Sequence, residues 1–290
     1  MPNLSARSVR ESHCGLAGAA AVAAMAACLA LVGCSATVTY GAGGRPSATV
    51  AGPFTGTPAE GWADGAAGIV LPAAEPVGGF TAAQVELAYT WTRRLLVAGF
   101  LNKPTLLGGA PTAFEQQLPR FEYTYFLENL HVPGMDKSGR PQSSRSMIMS
   151  FRPGTAQLIG SVIKVHGTMQ AKADKQNGNF LDIDFDYDFV YPVERPNQPD
   201  SAVRVVDQVA WTLVFGDWAG EATAFEPGIR GTDESSISGV LCETTDGYYD
   251  PAYPAQDAAA STTVTPSGKP VDPYALGGKT AAGCTAVTGP

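Results

Sequence analysis

Between Ser161 and Phe215 apolar and polar side chains alternate in three successive runs, and few architectures can absorb that pattern. In Ser161–Ala171, Ile163, Val165, Met169 and Ala171 share one side, with Lys164, His166, Thr168 and Gln170 on the other. In Leu181–Tyr191, Ile183, Phe185, Tyr187 and Phe189 stand opposite Asp182, Asp184, Asp186 and Asp188. In Val203–Phe215, Val203, Val205, Val209, Trp211, Leu213 and Phe215 are largely in phase. Successive side chains of a strand point to opposite faces, so each run is a strand with one apolar face. Turn residues at Asp174–Gly178 and a proline-rich loop at Pro192–Asp200 separate the runs. The expectation is an antiparallel meander packed on one side.

The apolar face needs a cover, and the preceding segment supplies one. Thr81-Ala82-Ala83-Gln84 fits a capping box, in which hydroxyl and amide satisfy exposed backbone donors. The helix it opens is expected to run to about Leu101. Val85, Ala88, Tyr89, Thr92, Leu96, Gly99 and Phe100 form its stripe, and Asn102-Lys103-Pro104 ends it. A second, short helix is expected over Thr112–Leu118, a strand over Phe121–Leu127, and a loop over Pro133–Ser144. Helices before long antiparallel strands imply an α+β domain with N-terminal helices packed on the sheet. After Gly216 the alternation fades, which reads as an irregular C-terminal extension over residues 218–290.

The N-terminus carries a different message. Arg7 and Arg10 precede an alanine-rich apolar run from Leu16 to Val32, followed by Gly33-Cys34. A basic start, a short apolar core and a small-residue cleavage site describe a secretory signal. Leu31-Val32-Gly33-Cys34 resembles the lipobox of bacterial lipoproteins. That resemblance implies cleavage before Cys34, lipidation of Cys34, and anchoring on the extracytoplasmic face of the cell membrane. Residues 1–33 are then the signal peptide. Residues 34–78, dominated by Gly, Ala, Pro, Ser and Thr, read as a flexible tether because they lack apolar bulk to offset ordering entropy. The α+β domain is expected over 79–217.

The chain's formal charge is −8, from 19 Lys and Arg against 27 Asp and Glu. An acidic domain is a poor partner for nucleic acid, which needs a basic patch. Of five cysteines, Cys14 and Cys28 leave with the signal and Cys34 takes lipid. Cys242 and Cys284 remain, and in an exported protein such a pair favours a disulfide that pins the tail. Closing that loop would contribute about 3–4 kcal/mol in the chain-entropy picture. Two free thiols are the alternative.

The order of elements over residues 81–215 resembles the nuclear-transport-factor-2-like (SnoaL-like) fold, in which a curved sheet wraps a long helix into a cone. Some members are enzymes on polyketides or steroids, and many are non-catalytic. The mature chain also resembles streptomycete (actinobacterial) lipoproteins of unknown function, through Thr92-Arg93-Arg94-Leu95-Leu96-Val97-Ala98, Lys164-Val165-His166-Gly167-Thr168-Met169 and Pro270-Val271-Asp272-Pro273-Tyr274. That likeness implies location and no activity.

Candidate chemistry is sparse. The aspartate row lacks the sixth-position glycine of an EF-hand loop, since Tyr187 stands there, and reads as a solvent face. With the turn centred near Gln176, His166 faces Asp186 and Lys164 faces Asp188, with Arg204 approaching from the third strand. His166 beside Asp186 would form a general-base dyad. His131 and the Arg93-Arg94 pair read as surface residues. No hydrolase elbow, phosphate loop or dinucleotide fingerprint occurs, and no cofactor or metal is expected. The leading expectation is a non-catalytic binding or envelope-assembly module, anchored by lipid, with an envelope protein or a small apolar ligand as partner. The alternative is a small-molecule enzyme of the polyketide-cyclase or isomerase kind, using His166 or a carboxylate that faces into the cone.

Overall fold

The computed structural model describes residues 52–137, 141–174, 180–216, 225–230, 236–241, 245–254 and 272–276, and the backbone of 283–285. The first strand, β1 (Ala63–Asp64), lies between short 3-10 turns at Pro58–Gly61 and Gly65–Gly68. Four helices follow: α1 (Ala82–Phe100), α2 (Lys103–Leu106), α3 (Thr112–Glu115) and α4 (Arg120–Asn129). Strands β2 (Gln157–Leu158), β3 (Lys164–Ala173), β4 (Phe180–Arg195) and β5 (Gln198–Gly216) come next. They precede β6 (Glu226–Arg230), β7 (Ser236–Ser238), β8 (Val240–Leu241), β9 (Asp250–Pro251) and β10 (Gly283–Thr285). The main sheet runs β1-β3-β4-β5-β7-β10, with β2 also on β4 and β6 also on β5. All of its pairings are antiparallel except that of β10 with β7. The class is α+β.

The capping box forms: the Thr81 hydroxyl accepts from Gln84 N, and the Gln84 side chain accepts from Thr81 N at 2.9 Å. One face of α1 then buries Val85, Tyr89, Leu96 and Phe100 against the sheet. Phe100 stacks on Phe189 at 5.0 Å and meets Trp211 edge-on at 5.8 Å. The Tyr191 hydroxyl donates to Phe100 O at 3.0 Å, so the end of α1 is fixed to β4. Fully burying one such aromatic side chain contributes about 1.5–3 kcal/mol. Gly167 lets this layer close, because a Cβ there would overlap Asp186 O and the Tyr187 ring.

Several expectations need correction. Phe121–Leu127 is helical, not a strand. Its apparent alternation hides the i, i+4 pair Phe126 and Leu130, which is buried while Phe121 and Tyr125 are exposed. The prolines near residue 196 do not make a long loop. β4 and β5 continue to a two-residue turn, Pro196–Asn197, between the paired Arg195 and Gln198. Asn197 takes the positive φ of 64° that such a turn demands. β6 and β7 extend the main sheet, so the extension after residue 217 is partly ordered. The packed unit also starts well before residue 79. Phe54, Ala59 and Ile69 are buried, and β1 pairs with β3. Arg93 is not a solvated surface cation: it donates to Ile69 O and Ala66 O, holding this segment to α1. Cys34, Cys242 and Trp218 lie outside the described residues, as does the side chain of Cys284; the Cys284 backbone stands opposite Ile237.

Candidate functional site

The sheet has two unlike faces. The inner face carries the apolar phase of β3, β4 and β5 and packs under α1. The outer face carries the polar phase, and two segments cross it. The N-terminal strap bears Phe54, Ala59 and Trp62, which pack with Val190 and Val206. The C-terminal strap, residues 272–276, adds Tyr274 to the same cluster. Both straps are tied down by side chains of the sheet. Arg204 Nη1 donates to Pro53 O (3.1 Å), Lys164 Nζ to Trp62 O (2.9 Å), and Gln208 Nε2 to Ala275 O (3.0 Å).

The observed register moves the proposed dyad. His166 pairs with Asp188, Thr168 with Asp186, and Lys164 with Val190. The pairing Ala173↔Leu181 carries the same two-residue offset from that expectation. A turn centre displaced by one residue shifts every cross-strand partner by two, which preserves the faces and changes the pairs. Asp186 is therefore diagonal to His166 rather than opposite it, and Lys164 does not face Asp188. Lys164 instead joins Asp64 at 2.7 Å. Farther along, one aspartate of the row is ion-paired. Asp184 takes Lys172 Nζ at 2.6 Å and the Thr212 hydroxyl at 2.7 Å.

Asp188 departs from its row. It is fully buried, and among the described residues no cation is paired to it. Burial pushes its carboxyl up to about 7; a side-chain hydrogen bond from Gln208, the residue opposite it on β5, opposes the rise, and the charges of Asp186 and Asp272 add to it. The Gln208 side chain also donates to Ala275 O and accepts from the Ser236 hydroxyl at 2.7 Å. His166 is exposed beside Asp188, and its ring stacks on Trp62 at 5.1 Å. Trp62 in turn meets Tyr274 edge-on at 5.8 Å. Trp62, His166 and Tyr274 thus form an aromatic cluster on the outer face that carries Asp188.

A second buried carboxyl points the other way. Asp207 pairs with Phe189 and Ile237 and lies on the inner face, 8% exposed. Burial, then the charge of Asp188, pushes it up to about 7. Its field adds to burial in raising the hydroxyls of Tyr191 and Tyr249. On the same face the Tyr187 hydroxyl is buried without a partner and raised to about 12 by desolvation.

The sequence held a signal for Asp207: it stands in phase with Val205 and Val209, a charge in an apolar series. Asp188 sat within a row of four aspartates and looked like its neighbours. Trp62 and Tyr274 lie in Gly- and Pro-rich stretches where nothing local announces burial. Among the described residues, no three His, Cys, Asp or Glu side chains converge as metal ligands do. No family model, no curated protein and no solved structure matches this chain.

Proposed function

We propose that the protein is a lipid-anchored, extracytoplasmic binding module, attached to the cell membrane through Cys34 and non-catalytic, with its ligand site on the strapped outer face of the sheet. One observation carries the binding reading: Asp188 is fully buried with no cation paired to it among the described residues, opposite the His166 that stacks on Trp62. A buried charged group lacking a partner is costly, and folds retain such groups where a ligand completes them. The membrane part rests on Leu31-Val32-Gly33-Cys34 behind its apolar run. A lipid with two or three chains retains a protein firmly, at about 0.8 kcal/mol per buried methylene. The cone-like curvature of the nuclear-transport-factor-2-like fold and a Cys242–Cys284 disulfide belong to the same reading.

Two measurements test it. In cells fed an alkyne fatty acid, the wild type takes up label and Cys34→Ala does not; equal labelling overturns the anchor. A thermal-shift panel of apolar molecules, wall fragments and small ions tests binding. A ligand at a hundredfold its dissociation constant stabilises the folded state by about 2.7 kcal/mol. A shift that Asp188→Asn removes supports the outer-face site, and silence across the panel counts against it.

A second reading has its own observation. Asp207 is a buried carboxyl on the inner face, raised to about 7 by burial and the charge of Asp188, and a carboxyl so raised could serve an enzyme of the polyketide-cyclase or isomerase kind as general base. Turnover of a small enolisable ketone by the wild type, lost in Asp207→Asn and kept in His166→Ala, would establish it.

A further inference from the structure

We infer that the outer face binds a small organic ammonium ion, with Asp188 as its counter-charge and Trp62 and Tyr274 as its aromatic wall; this rests on the binding reading above and names its ligand class. The sign of the ligand follows from the carboxyl. Asp188 is fully buried with no cation paired to it among the described residues, and Asp186 and Asp272 add negative potential around it. The protein's nearby cations are committed elsewhere: Lys164 to Asp64 at 2.7 Å, and Arg204 to Pro53 O at 3.1 Å.

The kind of cation follows from the aromatic cluster. A metal ion asks for several converging oxygen, nitrogen or sulfur ligands, and among the described residues no such group exists. Aromatic faces beside a carboxylate suit a weakly hydrated alkylammonium, which trades little hydration for ring and carboxylate contacts. The same face already holds an ammonium of its own, the more strongly hydrated primary amine of a lysine. The Lys164 ammonium sits 2.7 Å from Asp64 Oδ1, 2.9 Å from Trp62 O and 5.6 Å from the Phe54 ring centroid. Lys164 and His166 are neighbours on the outer phase of β3, so the inferred site repeats this chemistry one step along the strand.

Access requires movement of a strap. Asp188 is closed off as the molecule stands, whereas Tyr274 is half-buried and Ala275 exposed. Breaking the Gln208–Ala275 hydrogen bond and tilting Tyr274 would open Asp188 from the C-terminal side.

The test is isothermal titration of the full chain in a neutral detergent with choline. Its carbon isostere, 3,3-dimethyl-1-butanol, has the same shape without the charge. Glycerophosphocholine distinguishes a lipid headgroup from a free ion as the natural source. Saturable choline binding, at least about tenfold tighter than the isostere, is expected. Asp188→Asn should weaken it about tenfold or more while staying folded, and Trp62→Leu should do the same by removing the ring. Choline, a fixed charge, should also bind more tightly as pH rises through about 7. Asp186 on β4, His166 and Lys164 on β3, Arg204 on β5, Asp64 on β1 and Asp272 on the C-terminal strap also lie around this face, and Asp207 on the opposite face feels the charge of Asp188. Asp188→Asn should therefore reduce that pH dependence, and Asp188→Asn with Asp207→Asn should remove the part due to both carboxyls. Equal affinity for choline and isostere, absence of choline binding, or full affinity in either a folded Asp188→Asn or a folded Trp62→Leu overturns the inference. If Asp188→Asn does not fold, the isostere comparison and Trp62→Leu still decide. A thermal-shift response to an apolar molecule or wall fragment without choline binding would remove this inference and leave the binding reading standing.

Discussion

The same strands build two surfaces that differ in almost every respect. On the inner face, Phe185, Phe189, Tyr191 and Trp211 meet α1 and fill the space with rings. On the outer face, one residue along each strand, the side chains are Asp186, Asp188, His166 and Gln208, and the cover is two irregular straps. Period-two geometry makes this division cheap, since a strand can carry stability on one side and chemistry on the other. The fold's stability is expected to come mainly from the inner face, and the proposed ligand site lies on the outer.

The largest effect should follow from removing a ring on the inner face. Phe189→Ala should cost about 3–5 kcal/mol in urea unfolding, through lost transfer energy and the cavity left behind. Phe54→Ala on the strap should cost less than half as much. Equal losses would mean that the strap belongs to the core and that the division is false.

Next comes pH. Asp188 and Asp207 both have carboxyls raised from the ordinary range to about 7. Between about pH 4 and 7 the folded protein holds protons that the unfolded chain has lost, so stability is full below pH 4 and falls as pH rises through 7. One isolated group of this kind accounts for about 4 kcal/mol at most, and two that repel through the sheet do not simply add. Asp188→Asn and Asp207→Asn should each flatten part of the decline in denaturation curves taken across that range. A flat wild-type profile would show that neither carboxyl is as desolvated as its burial implies.

A smaller effect is expected where the N-terminal segment crosses from the outer face to the inner. Arg93→Met leaves Ile69 O and Ala66 O without their donors and should cost about 1–3 kcal/mol. Limited proteolysis should then cut first within residues 52–69. Cleavage elsewhere would mean that Arg93 does not secure the strap. The smallest effect belongs to an exposed ion pair. Lys172→Ala removes an ion pair whose lysine is 52% exposed and should change stability by about 0.2–1 kcal/mol, less at high salt.

What could be read from the sequence was what local chemistry dictates. The capping box located α1, and alternation located β3, β4 and β5 with their faces. Long-range packing was harder to see. Phe121, Tyr123, Tyr125 and Leu127 alternate like a strand, and only the burial of Phe126 and Leu130 shows the helix. The strap lies in a Gly-, Ala- and Pro-rich stretch whose few large side chains, Phe54, Trp62 and Ile69, gain their burial from distant strands. The dyad was misassigned for a related reason: alternation defines the face of His166, while its partner depends on a loop centre one residue away. Asp188 thus came into view only with the register and the straps together.

The central claim is that Asp188 is held ready for a partner the fold does not supply. Unfolding free energies of the wild type and Asp188→Asn, measured side by side at pH 4.5 and pH 8, test it most directly. The account predicts that Asp188→Asn is the more stable protein at pH 8, and that the gap narrows toward pH 4.5 as the wild-type carboxyl takes up its proton. Parallel losses at both pH values, with the variant less stable throughout, would show that Asp188 already has its partner within the chain, and the outer face would lose its standing as the binding site.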